Sequence, residues 1–191
     1  MPHTFVPFAV TVCGLDELQG HCATGVSHVL SILDPDHPEP TAFGAYGEHE
    51  RLELRFHDVV NVEGSMQAPT PADVERVLAF GRDLLAEPAG CGHLLVHCHA
   101  GVSRSTAALT MILAQARPER PAADAMAAVV SIRDRAWPNL LMIEYADEML
   151  GRGGDLVAAV RARHRAYAAQ RPEMVRFMLD NGRGREVEGL Y

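Results

Sequence analysis

Short apolar runs alternate with longer amphipathic stretches along most of the chain. Residues 8–12, 26–33 and 94–96 are apolar and too short for helices, so each reads as a buried strand. Leu52, Leu54 and Phe56 alternate with polar neighbours, the two-residue period of a further strand. Helical signals fall between and after them. Gly14 to Leu18 opens a short helix. Thr70-Pro71-Ala72-Asp73 is a helix start, with Thr70 as cap, Pro71 at the first helical position and Asp73 closing a capping box. Val74, Val77, Leu78, Gly81, Leu84 and Leu85 then recur at helical spacing up to the stop at Pro88-Ala89-Gly90. Residues 107–114 are apolar on nearly every side, which predicts a buried helix ending at Pro118. Pro121 starts the next, with Ala125, Ala128, Val129 and Ile132 on one face. Asn139 is positioned to cap a helix over 140–150 that Gly151 ends. Residues 34–50 and 59–69, rich in turn formers, read as loops. Strands alternating with helices define an α/β domain with a central sheet.

After the joint Gly151-Arg152-Gly153-Gly154 come an amphipathic helix over 155–170, with Leu156, Ala159, Val160 and Tyr167 inward, and a short one over 173–179. We divide the chain into a main domain, 1–150, and a helical extension, 151–191, expected to pack on it.

Composition narrows the class. With 48% hydrophobic and 22% charged residues the chain is an ordinary globular one, and 191 residues suffice for one core. A net charge of −8 argues against nucleic acid or anionic lipid as partner. No run is long enough for membrane insertion. Cys13, Cys22, Cys91 and Cys98 form no secreted framework, so a reducing, cytoplasmic setting is expected. Every basic residue is arginine, which we read as nucleotide-composition bias in the source genome.

The chemistry concentrates in His97-Cys98-His99-Ala100-Gly101-Val102-Ser103-Arg104-Ser105, between the predicted central strand and the buried helix. Backbone N–H groups at a helix start converge on one point, and the helix dipole adds positive potential there. Arg104 adds a planar fork for two oxygens. That field suits a phosphate dianion, and it favours the nucleophilic thiolate of Cys98. Ser105 can hydrogen-bond the sulfur when it leaves.

This stretch resembles the signature of the cysteine-dependent protein tyrosine phosphatases, His-Cys, five residues, Arg, then Ser or Thr. Its HCxxGxSRS form is closest to the dual-specificity branch. The resemblance extends weakly over residues 8–150, including the arginine and Pro138-Asn139 turn after the signature helix. It implies a mostly parallel sheet of four or five strands with helices on both faces. It also implies a phosphate cradle made by His99 to Arg104, a supporting role for His97, and an aspartate acid on a loop after an earlier strand. Asp58 fits that position, 40 residues before Cys98. Asp73 is the competitor, although capping already explains it. No metal or cofactor is implied. Cys91, His93, His97, Cys98 and His99 are zinc-ligand types, but their spacing fits no zinc pattern, and strand alternation sends Cys98 away from His97 and His99.

The function expected is hydrolysis of phosphotyrosine, with phosphoserine and phosphothreonine open, in a phosphorylated protein or small phosphate ester. Two alternatives stand beside it: a weakly catalytic module that holds a phosphorylated partner, and a phosphoinositide phosphatase. The lack of lysine in the loop counts against the latter.

Overall fold

The computed structural model describes residues 5–62, 64–86 and 91–190. Four strands, β1 (Ala9–Cys13), β2 (His28–Leu33), β3 (Glu50–Arg55) and β4 (His93–His97), form one parallel sheet in the order β1-β4-β2-β3. β4 is central: His97 stands opposite Cys13 on one side and Ser31 on the other. The strands share a direction, so their carboxyl ends meet at one edge. The residues that follow them (Gly14, Asp34, Phe56 and Cys98) are delivered there together.

The described residues include six α-helices: α1 (Pro71–Ala86), α2 (Arg104–Ala116), α3 (Ala122–Ile132), α4 (Leu140–Met149), α5 (Asp155–Gln170) and α6 (Glu173–Asp180). The expected capping box opens α1: the backbone N–H of Thr70 donates to Asp73 Oδ2 at 2.9 Å, and that of Asp73 to Thr70 Oγ1 at 3.2 Å. Its expected stop at Pro88-Ala89-Gly90 lies outside the described residues. α2 is buried from Arg104 to Ala114. It packs against β4 and β2, with α1, α3 and α4 around it, over a core that includes Leu30, Ile32, Leu94, Val96, Leu109 and Ile112.

The helices on the two faces are unequal. Opposite α2, the sheet is covered by two 3-10 helices, Leu15–His21 and Thr41–Ala45. They bury Leu18 and Phe43 with Val29, Tyr46 and Leu95. The second lies within the expected loop 34–50 and forms because Phe43 turns under the sheet, 5.5 Å from the His97 ring. β2 begins at His28, two residues after the expected start. The preceding Ser27 instead accepts the N–H groups of Gly92 and His93 on its hydroxyl, both at 3.1 Å.

α5 packs on α3 and α4. Its buried face is Leu156, Val160, His164 and Ala168, a four-residue period. The expected Ala159 and Tyr167 are half-buried against the core, and His164, not among the expected positions, is buried and stacks flat on Trp137, with centroids 4.1 Å apart. Asp147 of α4 caps α5 across the glycine joint, accepting from Gly154 N at 2.6 Å and Leu156 N at 2.8 Å. Among the described residues no helix is long and apolar enough to cross a membrane.

Candidate active site

The loop from Cys98 to Ser103 is shaped from outside. Leu15 N donates to the carbonyl of His99 at 2.9 Å, and Trp137 N to that of Val102 at 2.8 Å. Arg133 donates to the carbonyls of Ala100 and Gly101, both at 3.0 Å, and Arg135 also reaches Ala100 at 3.0 Å. In a trans peptide the N–H points opposite to the C=O. Four successive carbonyls drawn outward therefore turn the N–H groups of Ala100, Gly101, Val102 and Ser103 inward, as an anion cradle requires. Gly101 is needed in this geometry. Its φ is 66°, and a Cβ there would lie 2.5 Å from the carbonyl carbon of Cys13. Arg133 is itself gripped by Glu17 through two bonds of 2.9 and 2.6 Å. Those bonds hold the Glu17 carboxyl down at about 2, against the opposing effect of burial.

Cys98 is buried at the floor of this loop, its Sγ 3.2 Å from Ser105 Oγ. Arg104, 3% exposed, donates from Nη1 to Asp34 Oδ1 and to the Phe56 carbonyl, both at 2.6 Å. Its buried Nε has no partner among the described residues. The Nε–Nη2 edge is thus the fork left for two oxygens of a bound anion. His97 is fully buried, with Nδ1 3.4 Å from the carbonyl of Cys98. A carbonyl only accepts, so Nδ1 carries the ring proton. Burial pushes the ring down to about 4, and His97 is neutral. His99, on the rim, packs edge-on against His37 at 4.7 Å.

Asp58 lies beside the loop with both oxygens engaged. Oδ1 accepts from Ser103 Oγ at 2.7 Å and Asn139 Nδ2 at 2.9 Å, and Oδ2 pairs with Arg183 Nη1 at 2.9 Å. Burial opposes ionisation, but Arg183, Arg104 and these hydrogen bonds outweigh it and hold the carboxyl below its ordinary value. Asp73 is occupied by the α1 cap. Of the expected site residues, Cys98, Arg104, Ser105, Asp58 and the cradle from His99 to Ser103 are gathered here, with His97 behind them. Among the described residues no group of three His, Cys, Asp or Glu side chains is arranged to hold a metal, and Cys13, Cys22 and Cys98 are free thiols. Burial, with Glu17 nearby, pushes the Cys13 thiol up to about 12.

Four site residues had no assigned role here. Asp34 is the first polar position after an apolar strand neighbouring the signature strand, a signal visible in the sequence. Asn139 was expected only as a cap. It does cap α4, accepting from Met142 N at 3.1 Å, while its amide also holds Asp58. Arg183 and Glu186 carried no signal of their own.

No family model matches the chain, and no curated protein matches it. Solved structures do. Human DUSP28 aligns at a TM-score of 0.56 with 17% identity, over 75% of this chain and 94% of its own. A human tyrosine phosphatase-like serine/threonine/tyrosine-interacting protein aligns at 0.57 with 19% identity, over 78% and 95%. PTPMT1 in complex with PI(5)P aligns at 0.51 with 19% identity, over 76% and 94%. The chain has the dual-specificity phosphatase fold and carries at the expected place a signature resembling that of the cysteine-dependent phosphatases.

Proposed function

We propose that this protein is a cysteine-dependent phosphatase that hydrolyses phosphate monoesters on proteins, phosphotyrosine foremost. The observation that carries the reading is the free Nε–Nη2 edge of Arg104 beside the Cys98–Ser105 pair, within a loop whose N–H groups face inward. The Cys98 thiolate attacks phosphorus. The S–P bond forms as the bond to the ester oxygen breaks, and Asp58 protonates that oxygen. Asp58, now ionised, takes a proton from water as the water hydrolyses the cysteinyl-phosphate, and the thiolate leaves towards Ser105. The loop and Arg104 hold the three equatorial oxygens through both steps.

Free Asp58 is held ionised, yet the first step needs its acid form. A bound dianion supplies the change: it neutralises Arg104 and adds negative charge nearby, and both favour the protonated carboxyl. The free Cys98 thiol fits a reducing, cytoplasmic setting.

The test is hydrolysis of para-nitrophenyl phosphate and of a phosphotyrosine peptide without metal. Wild type turns over, Cys98→Ser does not, and Asp58→Asn loses about 10²-fold or more on the peptide. A likeness in fold to a phosphatase-like interacting protein favours one second reading, a phosphate-binding module. Reduced wild type that binds phosphopeptide without turnover would establish it. Preference for a short-chain phosphoinositide over the peptide would replace the substrate class.

A further inference from the structure

We propose that Arg183, carried by the C-terminal segment, positions Asp58 for the reaction proposed above, on which this inference rests. Residues 181–187 are then a working part of the site.

The acid loop and the C-terminal turn are tied at three places. Arg183 Nη1 meets Asp58 Oδ2 at 2.9 Å, Arg185 Nη1 donates to the carbonyl of Val60 at 2.6 Å, and Asn61 Nδ2 donates to the carbonyl of Gly182 at 3.1 Å. Arg183 Nη2 also donates to Ser103 Oγ at 2.8 Å, so one guanidinium joins the acid loop to the signature loop. The guanidinium is aimed by Glu186, which is 2% exposed and accepts from Arg183 Nε and Nη2, both at 2.8 Å. Glu186 is fixed in turn by Trp137 Nε1 at 2.9 Å and Leu140 N at 3.0 Å. Trp137 also holds the signature loop through its backbone N–H on the Val102 carbonyl.

Packing alone does not require this arrangement. Burying a guanidinium is costly, and an apolar residue would join the two segments at less expense. A cation on the outer oxygen of Asp58 does what an apolar residue cannot. It orients the carboxyl towards the loop, and it opposes protonation until a dianion arrives. The charged groups facing Asp58 are Arg183 from the C-terminal turn and Arg104 from α2, beside the titratable ring of His99 in the signature loop, which burial holds below its ordinary value. Ser103 and Asn139 are neutral donors, and Glu186 faces Arg183 from behind. Of the two cations, Arg104 is the one a substrate neutralises. Arg183 stays throughout and sets the pH at which Asp58 gives up its proton.

The experiment is the pH profile of kcat on a phosphotyrosine peptide, with Cys98→Ser as the blank. Arg183→Gln alone strands two carboxylates, so the informative variant is Arg183→Gln with Glu186→Gln, which removes the pair together. Its basic limb moves up by at least about half a pH unit relative to wild type. Arg183→Lys keeps the charge and leaves the limb within a few tenths of a unit. Asp58→Asn lacks the limb in either background. An unmoved limb in the double variant, with turnover still dependent on Cys98, overturns the proposal. So does a wild-type limb that survives in Asp58→Asn. Wild type with no Cys98-dependent turnover overturns the phosphatase reading itself, and this inference with it.

Discussion

Arg104 shows how much one side chain can be specified by its neighbours. Its Nη1 is shared between a carboxylate and a carbonyl, which fixes the plane of the guanidinium and leaves the opposite edge open. Asp34 supplies the charged half of that grip. Asp34→Asn lowers kcat/KM about tenfold, read on para-nitrophenyl phosphate; unchanged kinetics would mean that the Phe56 carbonyl suffices. Gly101→Ala is harsher. Its Cβ collides with backbone and its positive φ is strained, so the variant loses about 1 kcal/mol or more, measured by urea unfolding, along with most turnover. Cys98, Arg104 and Ser105 were legible as one site because they lie close together in the chain. Asp34 reaches Arg104 only because β2 lies beside β4, an order that periodicity does not reveal. Arg183 reaches Asp58 only after the chain returns from α6.

Among the elements, strands and helices were legible wherever a hydrophobic period ran for several turns. The α1 start, the α4 cap and the span of α5 follow from local chemistry alone. The inward face of α5 was legible except for one residue. His164 takes a core position because the flat Trp137 ring lies against it and its Nε2 meets the Pro138 carbonyl at 3.0 Å, a partnership that the helix alone cannot announce. The Thr41–Ala45 turn was hidden for the same reason: a loop-like composition forms a helical turn when one aromatic has a sheet to bury against. The cap on α5 belongs to another helix. Asp147→Asn removes a charge from the dipole and weakens two bonds to the first turn, and thermal unfolding registers about 1 kcal/mol of lost stability.

For the whole molecule, two buried histidines make stability depend on pH. Burial lowers His97 to about 4 and His164 to about 3, from an unfolded value of 6.5. Each ring binds its proton more weakly when folded, so the unfolded chain carries more protons between those values. Stability is therefore complete above about pH 6.5 and falls as the solution becomes more acidic, by up to about 1.4 kcal/mol per pH unit for each ring. Melting temperatures measured from about pH 8 to about pH 4 decline below about pH 6.5 in wild type, and His164→Gln reduces the decline. A flat profile would mean that the rings titrate normally in the fold.

The two faces of the sheet do not share this burden equally. Behind β4, His97 is roofed by Phe43 and the short turns around it, while the opposite face is sealed by α2. A roof built from single turns opens at lower cost than one built from packed helices. Water and hydronium therefore reach the underside of β4 first. In mild acid, backbone amides of Thr41–Ala45 exchange with solvent deuterium well before those of α2, so the molecule comes apart from behind the signature loop.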